Sequence, residues 1–266
     1  MGANNKHEGK GRCRVVTEEC LREDIQELLH AYLEELSSPI DSFLEEHILA
    51  SAFYGMRDEA EPIGYYAIHD GQLVTQFYVR PSHRKHAQHL FGGMLERHAV
   101  KALFVPTCDE PFLSLAIDKD LSIQKQAYFF QESDAAAQIE DDPAFRMAGV
   151  DDLGAIELVC GGFLDRYEQR IANGELFVYR RGSDLLGIGI VERSKLSDGQ
   201  ASIGMFTNED FRRQGVGRTI IRQLRKWCSG QGLTPVCGCW YYNDASKQTL
   251  ESAGMVTKTR LLRVQL

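Results

Sequence analysis

The residues best suited to chemistry lie in Arg212-Arg213-Gln214-Gly215-Val216-Gly217-Arg218-Thr219, between a strand-like run ending at Thr207 and an amphipathic helical pattern. In that pattern Val216, Ile220, Leu224 and Trp227 form one stripe, and Arg222, Arg225 and Lys226 lie off it. Glycine at the mouth of a helix has no Cβ, so backbone N–H groups can close on a ligand's oxygens where the helix terminus already carries partial positive charge. Each such contact with an anion is worth about 0.3–1 kcal/mol when exposed and up to ~2 when partly buried. The arginines and Gln214 add charge-assisted hydrogen bonds. This is the chemistry of a diphosphate site. A Walker loop needs four residues between its glycines and then Lys-Ser/Thr, and Gly215 and Gly217 are separated by one. A dinucleotide fingerprint needs a third glycine where Ile220 stands.

A second motif follows about 28 residues after Gly215. Asn243-Asp244-Ala245-Ser246 opens a helical run that ends Glu251-Ser252-Ala253-Gly254-Met255. Asn243 is suited to cap that helix and Gly254 to end it. The pattern Arg-x-x-Gly-x-Gly, as Arg212, Gly215 and Gly217, followed by this Asn-led helix, resembles the GNAT N-acetyltransferase superfamily. The resemblance covers most of residues 145–266.

The resemblance implies acetyl-CoA as co-substrate, no metal, and direct attack of an acceptor amine on the thioester without a covalent enzyme intermediate. It places the coenzyme on Thr207, Arg212, Arg213, Gln214, Gly215, Val216, Gly217, Arg218, Asn243 and Ser246. It also implies that the strand before the loop splays from its neighbour and offers free amides, which counting back from Arg212 puts on Met205, for the acetyl carbonyl, and Thr207. Backbone donors aimed at a developing oxyanion are usually the largest catalytic contribution. An alkyl ammonium of pKa ~10.4 is about 0.1% neutral at pH 7.4, a cost of about 4 kcal/mol, so a base or a weakly basic acceptor is required. Glu192 and Glu209 are possible bases, and a solvated face explains each equally. Many family members carry a tyrosine acid one turn into the final helix; Leu250 occupies that position here. Tyr241, Tyr242 and Cys239 are acid candidates by position, with apolar packing as the plainer account. The acceptor pocket of the family falls around residues 163–170, where Asp165 and Glu168 can hold a cation.

The elements that position these residues occur twice. Asp70-Gly71-Gln72 and Asp198-Gly199-Gln200 are identical, and Asp-Gly between alternating apolar runs signals a hairpin. Fourteen residues after each Asp stands an Arg, Arg84 or Arg212, so the two copies stay 128 positions apart from turn to arginine. The openings match too: residues 14–21 and 146–153 each read as a short strand leading into a helix. An internal repeat of this size predicts two like units. The acidic stretch 131–144 reads as a linker, which gives a first unit over 1–134, a linker over 135–144 and a catalytic unit over 145–266. Each is expected to be an α/β unit, a mostly antiparallel twisted mixed sheet flanked by helices.

The first unit is a decayed copy. Where the second has its glycines, the first reads Arg84-Lys85-His86-Ala87-Gln88-His89. A Cβ at Ala87 and an imidazole at His89 obstruct a phosphate, so this half is expected to wall off the acceptor pocket and bind no coenzyme. His83, His86 and His89 recur every third residue, but neither carboxylate nor Cys falls at zinc spacing beside them.

The chain is 43% hydrophobic and 26% charged, enough to build packed cores. A formal net charge of −8 gives no pull toward nucleic acid. No apolar run approaches the ~20 residues of a membrane span. Residues 1–14 are polar, without a signal-peptide core, and Lys6 breaks the myristoylation pattern after Gly2. Seven cysteines at scattered spacing read as reduced core thiols, which predicts a cytoplasmic protein. The expected partner is a small-molecule or peptide amine, the expected assembly a monomer or homodimer. A different class of function, a non-catalytic acyl-CoA-binding regulatory module, fits the same loop; thiol release with a panel of amines separates the two. The same scaffold also admits an acyl donor other than acetyl.

Overall fold

The computed structural model describes residues 15–133 and 139–266. Residues 1–14, with the targeting readings and Arg14, and residues 134–138 at the start of the linker lie outside them. The first repeat runs β1 (Val15–Cys20), α1 (Gln26–Glu35), α2 (Ser42–Leu49), β2 (Ala52–Asp58), β3 (Glu61–His69), β4 (Leu73–Val79), α3 (Ala87–Arg97), β5 (Ala102–Pro106), α4 (Glu110–Ile117) and β6 (Ser122–Glu132). The second reproduces that order with β7 (Phe145–Met147), α5 (Leu153–Cys160), α6 (Tyr167–Ala172), β8 (Leu176–Arg181), β9 (Asp184–Arg193), β10 (Gln200–Thr207), α7 (Val216–Gly230), β11 (Thr234–Trp240), α8 (Asp244–Ser252) and β12 (Met255–Gln265).

Local sequence explains the elements that set the site. Asp70 (φ 48°) and Gly71 (φ 67°) take the left-handed pair of the tight turn that the Gln72 amide closes on the His69 carbonyl (3.1 Å), and Gly199 (φ 76°) turns the equivalent corner. Helix α7 buries Val216, Ile220, Ile221, Leu224 and Cys228, each large aliphatic side chain worth roughly 1.5–3 kcal/mol. It lies close on β9 because Gly189 leaves the space that Ile220 and Leu224 fill. A Cβ at Gly187 would strike the Phe206 carbonyl, and one at Gly64 in β3 would strike that of Tyr78. These two glycines hold the same place in the two repeats, facing Thr207 and Val79 across the ladder.

The strands form one twelve-stranded sheet in the order β1-β2-β3-β4-β5-β12-β6-β11-β10-β9-β8-β7. Only β4/β5 and β10/β11 are parallel; the other pairings are antiparallel, giving the mixed α/β architecture expected. The repeats are joined more closely than two sheets side by side. Strand β6 ends the first repeat but pairs with β11 of the second, and β12 ends the second but pairs with β5 of the first. The two exchanged strands also pair with each other, from Met255↔Glu132 to Gln265↔Ser122.

Side chains reinforce the junction. Arg225, 4% exposed, binds Glu132 (2.8 Å) and the Ala253 carbonyl. Glu45 accepts from the Ser194 hydroxyl (2.6 Å) and the Lys195 amide (2.5 Å). The six described cysteines are free thiols, four of them buried in the cores. No helix among the described residues is long and apolar enough to cross a membrane.

Candidate active site

Strands β10 and β11 pair only at Gln200↔Thr234, Ala201↔Pro235 and Ser202↔Val236. Beyond Ser202 they part, while β10 stays paired with β9 as far as Thr207. Residues 203–207 therefore present an edge toward the gap, and a separated edge carries unpaired backbone groups.

The loop after β10 closes one end of that gap. Asn208 accepts from the Asp210 amide (3.3 Å) and donates to the Leu185 carbonyl (2.9 Å), which turns the chain out of the sheet. Arg213 (φ 60°) and Gly215 (φ 81°) adopt left-handed backbone, and Gly215 caps α7. The first helical bond runs from Thr219 N–H to Gly215 O (2.9 Å), so the amides of Val216, Gly217 and Arg218 precede the ladder. A Cβ on Gly217 would stand 3.0 Å from Thr249, 3.2 Å from the Thr207 hydroxyl and 3.5 Å from the Met205 sulfur. Glycine there leaves open the place where α7, β10 and α8 converge. Opposite, Asn243 caps α8 by accepting from the Ser246 amide (3.0 Å).

These pieces enclose a cleft of about 1200 Å³. Met205, Thr207, Arg212, Arg213, Gln214, Gly215, Val216, Gly217, Arg218, Asn243 and Ser246 all line it, so the structure brings together every predicted coenzyme residue and Met205. Phe206 and Phe163 (ring centroids 4.9 Å apart) also line it. Ala245, Gln248, Thr249 and Ser252 complete the wall from α8. They escaped the motif reading, although their i, i+3, i+4, i+7 spacing already puts them on one helix face. Arg212, Arg213 and Arg218 bring three cations to the cleft, and Arg212 pairs with Glu209 at 3.0 Å.

Tyr241 and Tyr242 are not among the residues lining the cleft. The Tyr241 ring stacks on Tyr128 of β6 (4.5 Å), with the Lys125 ammonium over its face (4.6 Å). A hydrogen bond from Tyr128, followed by Lys125, lowers its phenol pKa. Tyr242 is exposed and packs edge-on to Trp240. Cys239 has its thiol pushed up to about 11 by burial. Leu250, at the family's tyrosine position, is buried in the core. Glu192 is held by Arg170 (2.7 Å), as is Asp165 (3.3 Å).

In the first repeat β4 and β5 part even sooner, after Leu73↔Ala102 and Val74↔Leu103. There the loop winds into a 3-10 turn, Pro81–His86, that runs directly into α3. Arg84 pairs with Glu35, which also accepts from the Tyr78 hydroxyl (3.1 Å), and the space beneath is about 20 Å³. Among the described residues His83, His86 and His89 join no group of three metal-binding side chains.

Two GNAT profiles match the chain in tandem: an acetyltransferase (GNAT) domain over residues 21–133 and the acetyltransferase (GNAT) family over residues 141–255. The chain belongs to the GNAT acetyltransferase family. Solved structures agree on the fold of this tandem GNAT protein. An acetyltransferase from the GNAT family of Colwellia psychrerythraea superposes with a TM-score of 0.85 at 22% identity, covering 95% of this chain and 99% of its own. A GCN5-related N-acetyltransferase from Sphaerobacter thermophilus gives 0.63 at 13% identity, covering 95% of each chain. A tandem GNAT protein from the clavulanic acid biosynthesis pathway gives 0.59 at 11%, covering 95% and 98%. At these identities the likeness is one of fold. A search of curated proteins returned no match.

Proposed function

We propose that the tandem GNAT protein is an acetyl-CoA-dependent N-acetyltransferase with one working site, in the second repeat, acting on the amine of a small molecule or peptide. The observation that carries this is the convergence of the loop amides, three arginines and the separated edge of β10 on one cleft of about 1200 Å³. A coenzyme-sized ligand needs a volume in the upper range of ligand pockets, and the glycine at 217 leaves a cradle that any side chain would fill.

In this reading Arg212, Arg213, Gln214 and Arg218 neutralise the diphosphate, and the amides of residues 216–218 bind its oxygens. Asn243 and Ser246 flank the pantetheine arm. The Met205 amide faces the acetyl carbonyl, and that of Thr207 holds the chain next to it. The bound thioester supplies the acetyl group; the protein holds it, orients it and stabilises charge on its oxygen. Phe163 and Phe206 give the cleft an apolar wall.

Calorimetry with acetyl-CoA, then thiol release across a panel of primary amines, tests the proposal. One site per chain with turnover is the expected result. Two sites per chain would defeat the single-site reading, and binding without turnover across the panel would favour a regulatory acyl-CoA module.

A further inference from the structure

A transferase acting on an ammonium must first remove a proton, and the two base candidates of the sequence, Glu192 and Glu209, are each paired with an arginine. Glu192 is neutralised by Arg170, Glu209 by Arg212, and Asp165 by Arg166 and Arg170. The first repeat supplies another carboxylate. Asp41 caps α2 with Oδ1, which accepts from the Leu44 amide (3.0 Å). The next residue, Ser42, donates its amide to the hydroxyl of Ser202 (2.8 Å), the last β10 residue paired with β11. The start of α2 is thereby fixed where β10 and β11 part.

Asp41 Oδ2 lies against Gly238, two residues past the last β11 residue paired with β10, so closely that a Cβ there would collide with it. Cys237 belongs to the core beneath α7 and α8. Side chains alternate along a strand, so Gly238 faces the opposite side of the sheet, away from the coenzyme loop. Phe206 of β10, which packs with the α5–α6 core on the face opposite Cys237, lines the cleft beside Phe163, where the expected acceptor region begins. The ionisable groups bearing on Asp41 are Glu45 and Glu46 of its own helix and the Cys237 and Cys239 thiols of β11; Ser202 of β10 is neutral. None is a cation. The carboxyl is 5% exposed, and burial pushes it up to about 7.

We propose that Asp41, contributed by the first repeat, is the general base that deprotonates the acceptor ammonium at the splayed strands of the second. This rests on the transferase reading. One ammonium proton passes to Asp41 Oδ2. The freed nitrogen lone pair forms the N–C bond as the C–S bond breaks, and the proton the nitrogen then sheds goes to the departing thiolate. Asp41 returns its own proton to solvent, so one proton is released per turnover. Glycine at 238 is required because the carboxylate occupies the space a side chain would take.

The test is Asp41→Asn, which keeps the cap and the volume and removes the basic oxygen. Acetyl-CoA affinity by calorimetry is expected to stay within about twofold, while kcat/KM for primary alkyl amines falls about 100-fold or more, as loss of a general base does. The acid limb near pH 7 in the wild-type profile is expected to vanish. Methoxyamine, already neutral at pH 7, should lose less than about tenfold, because its attack needs no prior deprotonation. Carboxyl 13C titration of the ligand-free protein supplies a readout independent of turnover. Two resonances, those of Asp41 and Asp109, should titrate well above the ordinary carboxylate range in wild type, and the variant should keep only that of Asp109. Asp41→Ser, also a capping residue, carries the test if the Asn variant does not fold. Equal turnover of wild type and both variants would overturn the proposal and leave the transferase reading standing. Wild-type protein that binds no acetyl-CoA would overturn that reading and this one with it.

Discussion

After β10 the chain passes through left-handed backbone at Arg213 and Gly215 and starts α7 beside an open cleft. After β4 the matching segment coils into the 3-10 turn Pro81–His86 and starts α3 with no gap. Both strands separate from their parallel neighbours, so the framework of a binding gap exists twice. What differs is the filling. Gly204 in the second repeat has no side chain, and Gln76, 128 positions earlier, puts a fully buried amide at that register in the first. Tyr32, Tyr65 and Asp109 crowd the same interior. A sheet can keep its opening long after the loop that gave it a ligand has gone.

The contrast breaks most sharply at Gly217. Gly217→Val should lower acetyl-CoA affinity at least about 100-fold by calorimetry, because the side chain would press on Thr249 and Thr207 inside the cradle. Next comes Gly238→Ala, which drives Asp41 off its seat; thermal or denaturant unfolding should show a loss of about 2–3 kcal/mol from overpacking and a weakened cap.

A smaller effect is expected in the first repeat. Burial raises Asp109 to about 7, with the Phe112 amide opposing. Its ordinary value in the unfolded chain is near 4. The folded form holds the proton more tightly, so stability is full below about pH 4, falls as pH rises toward 7, and stays at the lower level above. Asp109→Asn keeps the cap and removes that charge. It should be more stable than wild type by on the order of 2 kcal/mol at pH 8, with the difference gone at pH 4.

Two near-silent changes sharpen the comparison from the other side. Tyr241→Phe should alter thiol release by less than about threefold, since its ring stacks on Tyr128 outside the cleft wall. Ala87→Gly with His89→Gly should leave acetyl-CoA stoichiometry at one, because Arg84 and Glu35 still close the space below.

Much of this was legible in the residues. The Asp-Gly corners, the shared spacing to Arg84 and Arg212, and the Gly215–Gly217 loop are local signals, since turn geometry and helix starts are decided by a few neighbouring residues. Asn243 as a cap was readable for the same reason. The exchange of β6 and β12 was not. Alternating patterns mark both as strands, but they do not say which edge each will join. Nor did any short-range pattern tie Asp41 to Gly238, which meet only because α2 of one repeat rests on a strand of the other. Tyr241 and Tyr242 were placed by their nearness in sequence to Asn243; the end of β11 turns them toward β6 instead.

Strand β12 has a bearing on how the protein is born. A ribosome delivers β5 long before the strand that must lie beside it, so the nascent first repeat waits with a bare hydrogen-bonding edge until the second repeat has been synthesised. Proteolysis or gene splitting between the repeats would yield fragments that must reassociate to regain an ordered sheet, and loss of β12 alone would leave both partners unmated.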